Sequence, residues 1–443
     1  EVLGLGEIEK ILPFDHLQLN ETRDHDECGN REHKVHDHHP ALKRALAMSL
    51  KNGRGSGAGH GEQDNDYRSF VLYYVEMPTP NWTALNGTDL LHALEQWCTE
   101  LGVSDIHTSP EKESVRIEVR LHGMLNLLAT ISHATYEDFV RRVKFMSKLK
   151  LNLTNVPQDG QYTFQAGDRM VNVRVASIPS RFGETYTLRL LDPKRGIVAL
   201  TELGFPKEIH EALQKLVKVP SGLILVTGPT GSGKTTTLYA LLNTVVGTQR
   251  NIITLEDPIE YELKGIVQSQ IDAEHDYTFS SGLRSILRHD PNIILLGEIR
   301  DLETAQTAVD ASLTGHLVLA TLHTNSALEA IPRLLSMGVS PYTFAPALRA
   351  ILAQRLVRTL SPECAKPDAT CDVADNKTYS GRMALPELIT VSPAVQSMIL
   401  NSDPSHAILE QAKKEGYRTM REWGDILVKE RRTTRAEVDR VTM

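Results

Sequence analysis

No apolar run in this chain approaches the ~18–20 residues needed to span a bilayer. The longest, such as Leu223–Val226 and Ile293–Leu296, are strand-sized, which argues against an integral membrane helix. Cysteine is scarce: Cys28, Cys98, Cys364 and Cys371 in 443 residues do not make a disulfide framework, and they point to a reducing compartment. An excess of basic residues is also missing. With 48 Lys and Arg against 56 Asp and Glu the formal charge is -8, and no aromatic and basic stripe is evident. Both facts weigh against an extended nucleic-acid surface, which needs a clustered positive field. The start lacks an initiator Met and a signal-peptide pattern, which reads as a trimmed fragment. No internal repeat is detectable.

The organisation is uneven. Residues 1–66 form a polar segment, with "TRDHDECGNREHKVHDHHP" rich in histidine and "KNGRGSGAGHGEQDND" a glycine-rich linker, too poor in apolar surface to offset ordering entropy. His33, His36, His38 and His39 with Cys28 read as a solvated tract rather than a metal site. Residues 67–192 read as a small α+β domain. Within it "TDLLHALEQWCTELG" has helical spacing with Thr88 or Asp89 as cap, "SVRIEVRLHG" alternates like a half-buried strand, and "ATYEDFVRRVKFMSKLKL" returns to helical period. Residues 193–221 are a connector. Over 222–355, apolar strands at Leu223–Thr227, Asn251–Glu256, Asn292–Leu296 and Leu317–Leu322 alternate with helices from Lys234, over Ser281–Arg288 and over Leu302–Leu313. That alternation predicts a largely parallel sheet covered on both faces. The chain from about Ala327 reads mostly as helices, with a C-terminal region at 356–443.

The chemistry concentrates in four stretches. Gly228, Pro229, Thr230, Gly231, Ser232, Gly233, Lys234 and Thr235 fit G-x-x-x-x-G-K-[ST] between a strand and a helix, with Thr236 following. Glycines let backbone N–H groups turn around phosphates, Lys234 reaches the β- and γ-phosphates, and Thr235 offers a hydroxyl to Mg²⁺. "NIILLGEIRD" supplies Glu298 just after a strand, where a P-loop needs an acid to support Mg²⁺. "IITLEDPIEYEL" places Glu256, Asp257 and Glu260 at another strand's end, close enough to repel unless a cation or basic side chain sits among them. One of them is suited to orient or deprotonate an attacking water. In "TGHLVLATLHTNSA", His323 ends a strand where a polar side chain can sense a γ-phosphate.

These four ordered motifs over residues 222–326 resemble those of the secretion ATPases of type II secretion and type IV pilus assembly: a P-loop, an aspartate box, a Walker B segment and a histidine box. The likeness extends upstream through "SDIH", "PQDG" and "VRVASIPSRFGETYTLRLL", and downstream through "LAQRLVRTL", "YSGRMALPELI" and "EGYRTMREWGDILVKERRTTRAEVDRV", covering most of the chain after about Leu90. The resemblance implies an α/β fold: a RecA-like P-loop domain with a mostly parallel sheet, a small PAS-like α+β domain before it and a mostly helical part after it. It also implies an ATP- and Mg²⁺-using homo-hexamer in the cytoplasm, peripheral at the inner membrane, working on a platform protein by cyclic closure of the small domain on the motor. By this likeness Lys234 and Thr235 hold phosphate and Mg²⁺, Glu298 supports Mg²⁺, Glu260 is the base, His316 and His323 report the γ-phosphate, and Arg174 and Arg189 approach the nucleotide on closure. Retraction motors are the nearest confusable class, from which "LHTNSA" and "PQDG" set this chain apart.

Two departures stand out. Where the family often carries two C-x-x-C pairs, "LSPECAKPDATCDVADNKTYSG" has only Cys364 and Cys371, so no tetrathiolate zinc is expected. The family's "RIDG" is "RLHG", with His122 in place of Asp. Two other classes compete with an ATP-driven motor. One is an ATP-gated structural hexamer with little turnover; the other is a nucleic-acid translocase, which the acidic balance disfavours.

Overall fold

Two patterns of apolar residues build two sheets. In the strand Val115–Leu121, alternate residues Val115, Ile117, Val119 and Leu121 are buried and those between are partly exposed, as expected of a sheet with one dry face. In Gly222–Thr227 and Leu317–Leu322 every residue is buried, the mark of a strand covered on both faces. The computed structural model describes residues 80–442 apart from 374, 376 and 377. The histidine-rich tract with Cys28 lies outside the described residues.

The first unit comprises α1 (Gly87–Leu101), β1 (Asp105–Pro110), β2 (Val115–Leu121), β3 (Met124–Ile131), α2 (His133–Met146), β4 (Gln158–Ala166), β5 (Arg169–Ser180) and β6 (Gly183–Leu191). Its six-stranded sheet runs β3-β2-β1-β6-β5-β4 with every neighbouring pair antiparallel. The two helices share one apolar core with it, through Leu90, Leu94 and Trp97 of α1 and Phe139 and Val143 of α2. The cap of α1 is Asn86, whose side chain accepts from the backbone N–H of Thr88 and Asp89 at 3.0 Å each; neither of those two, expected from the sequence, is the cap. Asn86 wins because its oxygen reaches both free N–H groups of the first turn.

A short helical turn at Pro193–Gly196 and α3 (Lys207–Leu216) lead into the second unit: β7 (Gly222–Thr227), α4 (Lys234–Asn243), β8 (Ile252–Glu256), β9 (Val267–Gln270), α5 (Phe279–Ile286), β10 (Ile293–Leu296), α6 (Leu302–Leu313), β11 (Leu317–Leu322), α7 (Ala330–Ser336), α8 (Pro341–Ala347), β12 (Leu348–Leu360) and β13 (Tyr379–Thr390). The sheet order is β13-β12-β7-β11-β10-β8-β9, parallel throughout except at β12–β13. The order doubles back around β7, so the ends of β7, β11, β10 and β8 open on one edge, where ligands bind in such sheets.

The chain after about Ala327 is more helix than strand, as its sequence reads, but it also contributes the long strands β12 and β13, and β12 runs to Leu360, past the domain boundary drawn at 355. "LRAILAQRLVRTL" is made of good helix formers. Pairing with β7 on one side and β13 on the other overrides that preference. The helices follow: α9 (Pro393–Leu400), α10 (Ser405–Lys414), α11 (Met420–Lys429) and α12 (Arg435–Thr442). Between β12 and β13, Cys364 and Cys371 form a disulfide, a bridge the cysteine count had not suggested. Among the described residues no helix is long and apolar enough to cross a membrane.

The helices are tied to the sheet by buried charge. Glu437 of α12 meets Arg358 of β12 at 2.8 Å and Arg440 at 2.7 Å, and accepts the backbone N–H of Arg358 at 2.9 Å. Burial alone would raise its pKa, but the bonds from Arg440 and Arg358 outweigh this and hold it at about 2, below the ordinary 4.5. A depressed carboxyl stabilises the fold above its unfolded pKa and loses that contribution as pH falls through the folded one. Glu437→Gln is therefore expected to cost about 2 kcal/mol at pH 7, measured by urea unfolding. The gap to wild type should close progressively between pH 4.5 and about 2.

Candidate nucleotide site

At the end of β7 the chain enters a turn that only glycines can make. Gly228, Gly231 and Gly233 have φ of 147°, 79° and 87°. At Gly228 a Cβ would lie 2.6 Å from both the Gln354 carbonyl oxygen and Ser232 Oγ, so close packing forbids a side chain as well. Gly233 caps α4, whose first residue is Lys234, so the unpaired N–H groups of the first helical turn face the loop. The Lys234 ammonium donates to the carbonyls of Gly228 at 2.9 Å and Pro229 at 3.2 Å, curling over the loop. Burial lowers its pKa below the usual lysine range, against the pull of the Glu298 carboxylate and with the push of Arg355.

The loop forms one wall of a cleft of about 550 Å³. Thr230, Gly231, Gly233, Lys234, Thr235 and Thr236 line it from the loop side, and Glu256, Asp257, Glu260, Glu298, His323 and Arg189 line it from the others. This convergence follows from the topology: Glu256 ends β8, Glu298 follows β10, and His323 follows β11, all on the sheet edge that also carries the loop. Gly297 permits the approach of β10 to β8, since a Cβ there would sit 3.2 Å from the Leu255 carbonyl.

The carboxylates are partnered as their mutual repulsion requires. Glu298 forms an ion pair with Arg300 and lies 3.5 Å from His323 Nε2, while Arg300 also stands 3.7 Å from Asp257. Glu260 is held by Arg174 of β5 at 2.9 Å, and the same guanidinium donates to the Ile259 carbonyl at 2.9 Å. Arg174 and Arg189 face each other across β5 and β6. Arg189 donates to Asp105 at 2.8 Å, and this bond holds its pKa above the ordinary value. Glu256 is different: buried, it accepts from the Tyr239 hydroxyl, from Thr254 at 2.5 Å and from Gln268 at 3.2 Å, joining α4 to β8 and β9. Burial and this carboxylate push the Tyr239 hydroxyl above its usual range.

His316 is not brought to the cleft. It precedes β11, with Nδ1 3.0 Å from the Ala311 carbonyl, whereas His323 follows the same strand. At ~3.3 Å per residue the two lie on the order of 20 Å apart on opposite sheet edges. The expectation that both report on one phosphate is corrected accordingly. Pro229 and Ser232 shape the loop from behind, and Ser232 is buried. Residues the sequence did not single out also enter the site. Arg300 pairs with Glu298, Thr227 bonds the backbone of Thr324 at 2.9 Å, and the fully buried Gln354 reaches the loop from β12. Repelling carboxylates signalled that cations must stand among them; nothing in the sequence showed which.

A glycine-rich loop between a central parallel strand and a helix, facing carboxylates and a histidine on one sheet edge, defines a RecA-like P-loop nucleoside triphosphatase. The profile described as Type II/IV secretion system protein matches residues 88–440. The Type II secretion system ATPase E of Vibrio cholerae is 42% identical over 376 residues, covering 80% of this chain and 75% of that protein. The Type II secretion system protein E of Pectobacterium carotovorum is 39% identical over 442 residues, covering 94% and 88%. Among solved structures, the pilus retraction motor PilT with bound ADP superposes with a TM-score of 0.60 at 28% identity, covering 81% of this chain and 97% of that one. The chain belongs to the type II/IV secretion system protein family and is an ATPase.

Proposed function

We propose that this protein is a homo-hexameric motor that hydrolyses ATP at the inner membrane to power type II secretion, coupling hydrolysis to movement of the small domain on the ATPase domain. The observation that carries the reading is the Arg174–Glu260 pair. It runs from a strand of the small domain to the edge of the nucleotide cleft, so anything that draws on Glu260 also draws on the position of β5. The relatives named for type II secretion support the choice of system over pilus retraction.

In this reading the loop N–H groups and Lys234 bind the β- and γ-phosphates, and Glu260 takes the proton from the water that attacks the γ-phosphorus. Arg174 and Arg189, drawn from their carboxylate partners as the domains close, neutralise charge on the transferring group. His323, with its ring beside Glu298, senses whether the γ-phosphate is present. The Thr235 hydroxyl and the Glu298 carboxylate share the cleft as hard oxygen donors and fit Mg²⁺. Mg²⁺, when bound, screens the phosphate charge. The platform protein and its membrane-associated complex are the partners, and association with the membrane is peripheral.

The test is ATP hydrolysis by the purified chain with Mg²⁺. Expected are a hexamer by sedimentation with a nonhydrolysable analogue and faster turnover on adding the cytoplasmic domain of a platform protein or acidic phospholipid. DNA should have no effect. Stimulation by DNA alone would assign the chain to the translocases instead.

A further inference from the structure

We propose that Gln354 is a positioning residue of the nucleotide site, setting the orientation of the peptide between Ser232 and Gly233. The proposal rests on the reading of the cleft as an ATP site. Gln354 sits on β12 with no exposed surface, and both ends of its amide are used. Its Nε2 donates to the Ser232 carbonyl at 2.7 Å, and its Oε1 accepts from the Thr237 hydroxyl at 2.9 Å. One side chain thus braces the loop against the first turns of α4.

The consequence follows from peptide geometry. In a trans peptide the carbonyl of one residue and the N–H of the next point in opposite directions. Holding the Ser232 carbonyl toward β12 therefore turns the Gly233 N–H away from β12, and Gly233 lines the cleft. The same strand closes on the loop from behind: the Gln354 carbonyl is one of the two atoms that a Cβ at Gly228 would meet first, and Nε2 stands 3.1 Å from where a Cβ at Gly233 would lie. The next residue continues the link. Arg355 donates to the Asn325 carbonyl at 3.0 Å and to its Oδ1 at 3.2 Å, in the segment just past His323. Two adjacent residues of β12 therefore hold the phosphate loop and the segment that carries the candidate phosphate sensor.

A core glutamine and a positioning glutamine differ in what their loss changes. Removing a packing residue lowers stability and weakens all ligands alike; misorienting the Gly233 N–H weakens only ligands that bring phosphates. Gln354→Glu keeps size and shape but sets a carboxylate against the Ser232 carbonyl. We expect ATP and ADP affinity to fall about tenfold at pH 8, the size of one well-made hydrogen bond, with adenosine unchanged. As the pH is lowered to 6 the buried carboxyl takes up a proton and regains a donor, so the ratio of variant to wild-type ADP affinity should move back toward one. The measurements are competition against a fluorescent ADP on the full chain, beside thermal melting. Equal losses for ATP and adenosine, or affinities within twofold of wild type, would overturn the proposal. Should the Gln354 variants fail to fold, Thr237→Val carries the test by freeing Oε1 and letting the amide turn. A loss of ATP affinity of about threefold with adenosine unchanged supports the role, and no change removes it. Failure of the wild-type chain to bind ATP would instead count against the reading of the cleft itself.

Discussion

Lys234→Ala is expected to lower kcat/KM for ATP by about 10³-fold, to the background of phosphate release, while the melting temperature stays within a few degrees of wild type. Both halves follow from what the ammonium touches. Its partners are two backbone carbonyls at the rim of the loop, Gly228 and Pro229. Neither partner is a carboxylate, and carbonyls at the cleft can turn to water, so its removal strands little. Burial already disfavours the charge, which places a cation where only an anion arriving from solvent would use it fully. A triphosphate supplies that anion, and charge-assisted bonds to it strengthen as negative charge redistributes in the transition state. Phosphate release and melting curves on the same preparation check both halves. Turnover that survives the substitution would move the active site elsewhere. A wild-type chain that binds ATP and does not turn over would favour the ATP-gated structural hexamer.

How much of this architecture could be read from the chain depends on how local its cause is. The strands β7 and β11 were legible because a strand buried on both faces is an unbroken apolar run, and the glycine-rich turn after β7 fixed what lay on either side. Helix α6 was legible residue for residue, since Asp301 caps it and the apolar positions recur at helical spacing. The polar edge strand β9 was not, because Val267–Gln270 buries none of its residues and is a strand only through its pairing with β8. The same holds for β12, whose identity comes from two neighbours more than a hundred residues before and about thirty after it.

The site divides along the same line. Lys234, Thr235, Glu298, Glu260 and His323 lie in segments whose chemistry is written in consecutive residues, and the structure gathers these five at one cleft. What consecutive residues cannot show is which partner each side chain meets. Glu256 looked like its neighbours in "TLEDPIEYEL", yet it is turned inward and spent on Tyr239, Thr254 and Gln268. His316 looked like His323, yet a six-residue strand separates them. Gln354 lay within the "LAQRLVRTL" stretch of the likeness, but what it touches could not be read there, because that depends on β12 lying beside β7.

Glu260→Gln is expected to lower kcat by about 10²–10⁴-fold with ATP affinity within a few-fold of wild type. The amide keeps the shape of the carboxylate but cannot take a proton from water. Arg174 keeps its bond to the Ile259 carbonyl, so the segment stays in place. A rival explanation is that Glu260 serves only as the anchor of an ion pair. The pair is partly exposed, with about a quarter of each side chain open to solvent, and such pairs contribute about 0–1 kcal/mol. Loss of so small a term cannot lower kcat a thousandfold, so the size of the effect separates the two explanations. Arg174→Ala supplies the second arm: an arginine that stabilises transition-state charge is worth about 10³-fold or more in kcat. If base and arginine act in one step, the double variant should be little worse than the poorer single one, because groups that work as a unit are not additive. Single-turnover rates on the four proteins, with ATP affinity measured alongside, give the answer. Additive losses would show that Arg174 acts on the nucleotide independently of Glu260, and a Glu260→Gln enzyme with wild-type kcat would take the base from this residue.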